Sequence, residues 1–414
     1  IQNTPPMPDL NSIGSWSKSD YELLTADFVS KMTADQIHAM NHTSWMPDAA
    51  AAGFTPEMVA SINISMYWFG AGWLNNLSTT AIQALTQKQM GEFTPTTLCG
   101  LDANHLSALK PEQVSAIQAS FYWFTDAWLN NLSIPALQAI TGTQLNGLTS
   151  TNLSKLDSAH AAALTATQVA SWSTTYYWLS STFLNNLNTQ AFQAITAAHL
   201  NEITGANFGA LDKTQIASIT AENLRGLNNS HLSSLSAEQV SAIAHLDALS
   251  SAQFGLLNIS GLSVSTLENL AENEFSALTA GQLDAISNEK FAVLNLSRLS
   301  TSTIGAMSKA AYEKLTAEQI SSLSAAQINA MGHAAWMQDT AAAGFTLDQI
   351  KNCTQNFYWF SPGWFNHLTK EAFQAIKPEN MGQMFLDAFN GLNAERRAQL
   401  TAAQAGPTHD HSLR

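Results

Sequence analysis

The sequence is short of charge, of cysteine and of long apolar runs. Of its 414 residues 12% are charged, and the formal net charge is −14 at pH 7. An acidic chain lacks the basic surface that attracts nucleic acid, so we expect no nucleic-acid binding. No apolar run reaches the roughly 18 residues of a membrane-spanning helix, so we expect no membrane insertion. The two cysteines, Cys99 and Cys353, lie far apart at apolar positions of a repeat, which predicts buried free thiols.

The sequence also lacks the short motifs of catalytic and metal chemistry. Its eleven histidines form no H-E-x-x-H pair and no Cys/His spacing typical of a metal site. There is no G-x-S-x-G elbow, no phosphate-binding glycine loop and no dinucleotide fingerprint. We therefore predict that the protein is not an enzyme and has no metal site and no cofactor. His409 and His411 lie in a polar tail, residues 405–414, that we expect to be disordered.

In place of such motifs the sequence has an apolar residue at every eighth position. The period is clearest at Leu85, Phe93, Leu101, Leu109 and Ile117. The consensus octad is an apolar residue, Ser or Thr, two variable residues, Gln or Glu, a second apolar residue, and a variable and a small residue. Ser or Thr followed three residues later by Gln or Glu is a capping box, and the flanking apolar residues form a hydrophobic staple. Each octad therefore encodes a complete helix start.

A continuous helix is the rival interpretation of this period. Eight residues turn through about 800° in a helix, so the apolar stripe would drift by about 80° per octad. Repeated Ser and Thr would also compete for the backbone of a helix interior. Because a single helical turn is unstable alone, neighbouring turns must bury one another's apolar residues. We predict an all-α fold, a right- or left-handed superhelical solenoid of very short helices.

The octads continue through most of the chain. They predict a single solenoid over residues 16–404, after an N-terminal extension of residues 1–15. Three histidines, His105, His199 and His231, occupy the Gln position of the octad, where helix capping explains them.

Four aromatic inserts, each carrying a Tyr-Trp pair, interrupt the octads. Trp68, Trp123 and Trp178 are 55 residues apart, which equals one 15-residue insert and five octads. Trp359 follows Trp68 by 291 residues, and the same offset relates "AAAAGFT" to "TAAAGFT". Residues 33–85 and 324–376 are therefore related end blocks.

The inserts have two interpretations. Apolar residues fall at helical spacing, as at Ile117, Phe121, Phe124, Trp128 and Leu132, which predicts four longer aromatic helices that form the main core. Alternatively, the Tyr-Trp pairs and the asparagines at the insert ends form a repeated ligand surface, since aromatic rings and amides together suit sugars or peptides. Asparagine as a left-handed residue at a helix C-terminus competes with that interpretation. The candidate ligand-binding residues are Tyr67, Trp68, Asn75, Asn76, Tyr122, Trp123, Asn130, Asn131, Tyr177, Trp178, Asn185, Asn186, Tyr358, Trp359 and Asn366.

Two resemblances bear on function. "LKPEQVSAI" and "LSAEQVSAIA" are locally similar to the opening of the DNA-reading repeats of transcription-activator-like effectors, although the eight-residue period and the acidic charge depart from that family. Over most of the chain, runs of "LT-x-x-Q-I/V-x-x-L" resemble the short helical repeats of some large secreted bacterial proteins, adhesins and translocated effectors. The second resemblance implies export from a bacterium.

These observations lead to one main function and two alternatives. We expect a non-catalytic repeat scaffold that binds a protein partner, which the resemblance places among secreted bacterial virulence or surface proteins. One alternative is a glycan-binding protein that uses the Tyr-Trp and Asn-Asn units. The other is a structural spacer within a larger exported protein.

Overall fold

The computed structural model describes residues 6–384 and 386–405, and for Leu386 the backbone alone. Apart from Ala405, the polar tail with His409 and His411 lies outside the described residues, as do residues 1–5 of the N-terminal extension. Contacts between Cα atoms divide the chain into two compact units, Ile1–Ile219 (unit 1) and Thr220–Arg414 (unit 2). The single solenoid over residues 16–404 and its superhelical course stay predictions.

Every regular element among the described residues is helical, and none of those residues is in a strand. The α-helices have four to six residues, so the predicted all-α fold of very short helices is confirmed. The α-helices of unit 1 are Lys18–Glu22, Ala26–Ser30, Ala34–Ala39, Pro56–Ser61, Ala71–Asn75, Thr79–Ile82, Gln87–Met90, Pro95–Cys99, Ala103–Ala108, Pro111–Ser115, Asp126–Asn130, Ile134–Gln138, Gly142–Gly147, Ser150–Ser154, Ser158–Ala163, Ala166–Ser171, Ser181–Asn186, Thr189–Gln193, Ala197–Glu202, Gly205–Gly209 and Lys213–Ser218. Its 3₁₀-helices are Leu10–Ser15, Thr43–Trp45, Asp48–Gly53, Met66–Trp68 and Phe121–Trp123.

Unit 2 is built from the same kind of elements. Its α-helices are Ala221–Arg225, Asn229–Ser234, Ala237–Ala242, Ser251–Phe254, Val264–Glu268, Glu272–Phe275, Ala280–Ala285, Asn288–Val293, Thr301–Gly305, Lys309–Lys314, Ala317–Ser322, Ala325–Ala330, Leu347–Lys351, Pro362–His367, Lys370–Gln374, Pro378–Met381, Leu386–Asn390 and Ala394–Ala398. Its 3₁₀-helices are Leu246–Ala248, Leu296–Arg298, Ala334–Trp336, Asp339–Gly344 and Phe357–Trp359.

Side-chain caps explain why most helices begin where they do, and several of these caps are complete capping boxes. At Gln87–Met90, the Thr86 hydroxyl accepts from the Gln89 amide at 3.2 Å, and Gln89 Oε1 accepts from the Thr86 amide at 2.9 Å. The flanking apolar residues Leu85 and Met90 are buried, as a hydrophobic staple requires. The octad therefore ends one helix and starts the next, and the predicted capping box and staple are confirmed here.

The glutamine of the octad has a second role that joins distant parts of the chain. Gln113 Nε2 donates to the carbonyls of Ile82 at 2.9 Å and Leu85 at 3.0 Å, which precede it by 31 and 28 residues. Elsewhere the bonds of octad glutamines span 25 to 31 residues, as from Gln282 to Leu257 and from Gln168 to Leu137. We call each such interval a layer. Because these carbonyls are buried, each glutamine satisfies backbone groups that water cannot reach.

The core of each unit is a stack of apolar residues between successive layers. Octad anchors such as Leu101 and Leu109 and the residues at the fourth helix position, such as Leu106 and Val114, are all less than 9% exposed. Each fully buried leucine or valine side chain contributes roughly 1.5–3 kcal/mol. This burial between layers stabilises helices that are too short to form alone.

The prediction of four longer aromatic helices is wrong. In the second insert Phe121–Trp123 is one 3₁₀ turn, Phe124 is extended, and a separate α-helix begins at Asp126. The cause is a second cap inside the insert, because the Thr125 hydroxyl accepts from the Trp128 amide at 3.3 Å. Helical spacing of the apolar residues therefore concealed two short elements.

The prediction that both thiols are buried is wrong for Cys99. Cys353 is buried, but Cys99 is exposed. Cys99 follows Leu98, which occupies the buried fourth position of the helix Pro95–Cys99, so the next side chain points to another face of the helix. Burial raises the pKa of the Cys353 thiol, and partial loss of hydration raises that of Cys99 although the residue is exposed.

Candidate functional site

The most exposed large side chains in the described structure include the four Tyr-Trp pairs. Their exposed fractions run from 42% for Tyr358 to 72% for Trp359. In each pair the tyrosine ring meets the tryptophan ring edge to face, with ring centroids 4.7–5.1 Å apart and interplanar angles of 85–90°. The pairs are Tyr67 with Trp68, Tyr122 with Trp123, Tyr177 with Trp178, and Tyr358 with Trp359.

The local backbone forces these pairs outward. In a 3₁₀ turn residues i and i+3 lie on the same side, and in the second insert these are Phe121 and Phe124, both buried. Phe124 stacks on Trp128 with ring centroids 4.0 Å apart. Tyr122 and Trp123 are the two residues between them, so they face solvent while their neighbours anchor the turn. Buried neighbours on both sides therefore fix the backbone of each pair, while the pair itself contributes little to the core.

Three of the four pairs belong to unit 1, and they recur at every second layer. The carbonyl of Trp123 accepts from Cys99 Sγ at 3.3 Å, 24 residues earlier, and that of Trp178 accepts from Ser154 Oγ at 3.4 Å. Cys99 and Ser154 are themselves 55 residues apart. The same surroundings therefore repeat after two layers. We call these three pairs the aromatic row of unit 1.

Two carboxylates next to the row are bound to backbone. Glu92 Oε1 accepts from the Met66 amide at 3.3 Å, and Glu202 Oε2 accepts from the Tyr176 amide at 2.8 Å. Each of these glutamates holds the start of an aromatic turn from the next layer. Both carboxylates therefore stabilise the backbone at the start of these turns.

The candidate asparagines bond to the protein's own backbone. Asn130 Nδ2 donates to the Lys155 carbonyl at 3.2 Å, and its Oδ1 accepts from the Asp157 amide at 2.9 Å. Asn75, Asn185 and Asn366 make the same two bonds to the next layer. Because both amide atoms are occupied, these side chains act as clasps between layers.

The second asparagine of each end has a local role. Asn76 Nδ2 donates to the Gly72 carbonyl and Asn131 Nδ2 to the Ala127 carbonyl, both at 2.8 Å, while Asn186 is half-buried. The alternative interpretation, a left-handed C-terminal residue, is wrong: Asn76 and Asn131 both have φ of −89°. The Tyr-Trp pairs remain as the exposed part of the predicted ligand surface.

Capping explains His105, although the ring does more than cap. His105 Nδ1 lies 2.6 Å from Asp102 Oδ1, and Nε2 lies 2.6 Å from the carbonyl of Leu77 in the preceding layer. Slight burial acts to raise the pKa of Asp102, but the hydrogen bonds from His105 outweigh it and lower that pKa. His231 Nδ1 likewise lies 2.6 Å from Asn228 Oδ1. The His199 ring stacks on Tyr176, with centroids 4.4 Å apart.

Unit 2 contains a cavity that the sequence did not predict. It has a volume of about 630 Å³, and its walls include Trp336, Trp359 and the buried Phe360. The imidazole of His333 stacks on Trp336 with centroids 3.7 Å apart and an interplanar angle of 14°. One feature of the sequence pointed to this place. His42 and Trp45 recur as His333 and Trp336, 291 residues later.

The described residues show no other arrangement with evident chemistry. Among them, no group of three or more His, Cys, Asp or Glu side chains is placed to hold a metal ion. None of the helices in that part of the chain is both long enough and apolar enough to cross a bilayer.

Comparison with known proteins gives no family. No protein-family model matches the chain, and no curated protein matches it. Among solved structures, the chain aligns with the crystal structure of an engineered protein from a structural genomics consortium, at 9% identity and a TM-score of 0.17, over 98% of this chain and 96% of that one.

Proposed function

We propose that this protein is a non-catalytic repeat scaffold that binds a partner protein through the aromatic row of unit 1. The observation that carries the proposal is the exposure of Tyr122 and Trp123 and of the equivalent pairs, which the core does not use. Tyrosine and tryptophan dominate the energetics of protein interfaces, and rigidly mounted rings lose little entropy when they bind. Three such pairs on one unit can engage one partner at several points.

The row itself favours a protein over a glycan. Sugar recognition needs directional amide or hydroxyl donors beside the rings, and the asparagines predicted to supply them bond to backbone instead. A structural spacer, the third alternative, gives no reason to expose eight large aromatic rings to water. The low charged fraction of the chain, 12%, fits a partner surface with few charges.

We further propose that the scaffold works outside a bacterial cell, as a secreted virulence factor or surface protein. Support comes from the resemblance of the octads to repeats of secreted bacterial proteins and from the low charged fraction of 12%. Fractionation of the source bacterium tests this setting. Protein recovered from the medium or the outer surface supports it, and protein confined to the cytosol contradicts it.

Affinity capture with the full chain tests partner binding. Lysates of animal, plant and amoebal cells are passed over the immobilised wild type and over the triple variant Trp68→Ala, Trp123→Ala, Trp178→Ala. We expect one partner that is retained stoichiometrically by the wild type and lost from the triple variant.

The matched control is Val293→Ala, because Val293 is 63% exposed and lies in unit 2. It should retain the partner in full, and far-UV circular dichroism should show that all variants are folded. Equal capture by the wild type and the triple variant, or no stoichiometric partner from any lysate, would rule the proposal out.

A further inference from the structure

The two end blocks share a His-Trp stack at the surface. His42 stacks on Trp45 with centroids 3.7 Å apart and an angle of 5°, as His333 does on Trp336. Both histidines are exposed, and Trp45 is 37% exposed. Edge-to-face packing on the buried Tyr21 and Tyr312 accounts for the two tryptophans, but the exposed imidazole kept on each of them needs another explanation.

A buried tyrosine forms a hydrogen bond to the backbone of the loop that carries each histidine. The Tyr21 hydroxyl accepts from the His42 amide at 3.2 Å, and the Tyr312 hydroxyl accepts from the Gly332 amide at 3.0 Å. Tyr21 and Tyr312 are again 291 residues apart, and both are fully buried. The stack therefore has a fixed position in both units.

In unit 2 the stack forms one side of the 630 Å³ cavity, and Trp359 from the next layer forms another. Gln355 Nε2 donates to the carbonyls of Ile328 at 2.8 Å and Met331 at 3.0 Å, which ties the two layers together beneath it. The lining contains no Asp, Glu, Lys or Arg. Its polar side chains are those of His333, Gln355 and Asn356.

We propose that this cavity is a binding site for a neutral glycan, and that the His42–Trp45 stack with Trp68 forms a second, less polar site in unit 1, where Ile64 and Ser65 replace Gln355 and Asn356. Indole faces pack against the C–H face of a sugar ring. Gln355 Nε2 and Asn356 Oδ1 bond to backbone, so the His333 imidazole, Gln355 Oε1 and Asn356 Nδ2 are the groups available to the sugar hydroxyls. A lining without fixed charge gives a phosphate, a carboxylate or an ammonium group no partner, so it favours an uncharged ligand. The volume lies within the roughly 300–1,000 Å³ of typical small-ligand sites.

The site in unit 2 shares no residue with the aromatic row, and the site in unit 1 shares only Trp68, because the middle inserts lack the stack. Trp359 and Trp336 are 23 residues apart, and the residue 23 positions before Trp123 is Gly100. Partner binding by the row and glycan binding by the end blocks can therefore be tested with different variants.

The experiment is isothermal titration of the full chain with neutral trisaccharides, namely chitotriose, cellotriose, maltotriose and xylotriose, and with anionic sialyllactose. We expect one neutral probe to bind with two sites per chain and the anionic probe to bind at least tenfold more weakly. Trp336→Ala should leave one site, and Trp45→Ala combined with Trp336→Ala should leave none.

Two further variants keep the test sound. Trp359→Ala removes the opposite wall, and because this ring is 72% exposed the change spares the core. It should weaken the unit 2 site at least tenfold, while Trp123→Ala should leave both sites unchanged. Absence of binding by all four neutral probes, or neutral binding that is lost in Trp123→Ala but kept without Trp45 and Trp336, would overturn the proposal.

Discussion

Glu274 is a buried carboxyl at a position where the octad normally has glutamine, and replacing it should stabilise the protein in a pH-dependent way. The residue is 1% exposed, and neither of its carboxyl oxygens has a hydrogen-bond partner in the described structure. Burial, helped by the nearby Asp247, raises the pKa of Glu274 from 4.5 to about 7. The variant to make is Glu274→Gln.

The magnitude follows from that pKa. A rise from 4.5 to about 7 corresponds to roughly 3 kcal/mol at 1.36 kcal/mol per pH unit. Since the folded pKa lies above the unfolded one, the stability linked to this carboxyl is complete below pH 4.5 and is lost as pH rises through 7. Glutamine stays neutral and can donate from Nε2, as Gln282 does to the carbonyl of Phe254 at 2.8 Å, which adds about 1 kcal/mol.

The assay is urea denaturation followed by circular dichroism at pH 5 and pH 8.5. We expect Glu274→Gln to raise the free energy of unfolding by roughly 2 kcal/mol at pH 5 and by up to about 4 kcal/mol at pH 8.5. The control is Glu289→Gln, an exposed glutamate in the same unit, which should change little at either pH. An equal gain at both pH values, or a loss at pH 8.5, would refute the reasoning about burial.

Three further predictions concern unit 1. Tyr176→Phe removes a buried hydroxyl that has no partner in the described structure, so the free energy of unfolding should stay the same or rise by up to about 1 kcal/mol. Thermal denaturation should accordingly show an equal or higher midpoint. Asn130→Ala breaks the bonds to the Lys155 carbonyl and the Asp157 amide, so urea denaturation should show a loss of about 1–3 kcal/mol, without loss of the captured partner. Hydrogen bonds from His105 and His160 outweigh slight burial and lower the pKa values of Asp102 and Asp157, so acid titration followed by circular dichroism should show stability that is lost only as pH falls through these depressed values.

The parts of the fold that depend on local chemistry could be predicted from the sequence. Thr86 and Gln89 form their capping box within four residues, and Leu85 and Met90 close the staple beside it. Such signals need no knowledge of the rest of the chain. The eight-residue period therefore predicts where the helices of the octads begin and end.

Features that join distant layers could not be predicted in this way. The octad explains the cap made by Gln113 but not its bonds to carbonyls 28 and 31 residues earlier. The asparagine clasps, such as Asn130 with Asp157, are hidden for the same reason. The length of a layer arises from packing between turns, which no single octad encodes.

The candidate site was predicted in part. The Tyr-Trp pairs are exposed as their positions off the apolar stripe indicate, but the long helices meant to carry them are absent because Thr125 and Ser361 act as caps within the inserts. The same Ser/Thr rule that identifies the octads would have located these breaks. The cavity beside Trp336 depends on Trp359 from another layer, and only the 291-residue offset hinted at that link.

The central claim is that the three Tyr-Trp pairs of unit 1 form one row at two-layer intervals. Spin labels at Tyr67→Cys, Tyr122→Cys and Tyr177→Cys, with Cys99 and Cys353 replaced by serine, allow the spacing to be measured pairwise by double electron–electron resonance. Because helices pack roughly 8–10 Å apart, two layers span roughly 20 Å. We expect a distance of roughly 20 Å both between the labels at 67 and 122 and between those at 122 and 177. Two clearly unequal distances, or either distance at twice that length, would show that the pairs do not form one evenly spaced row.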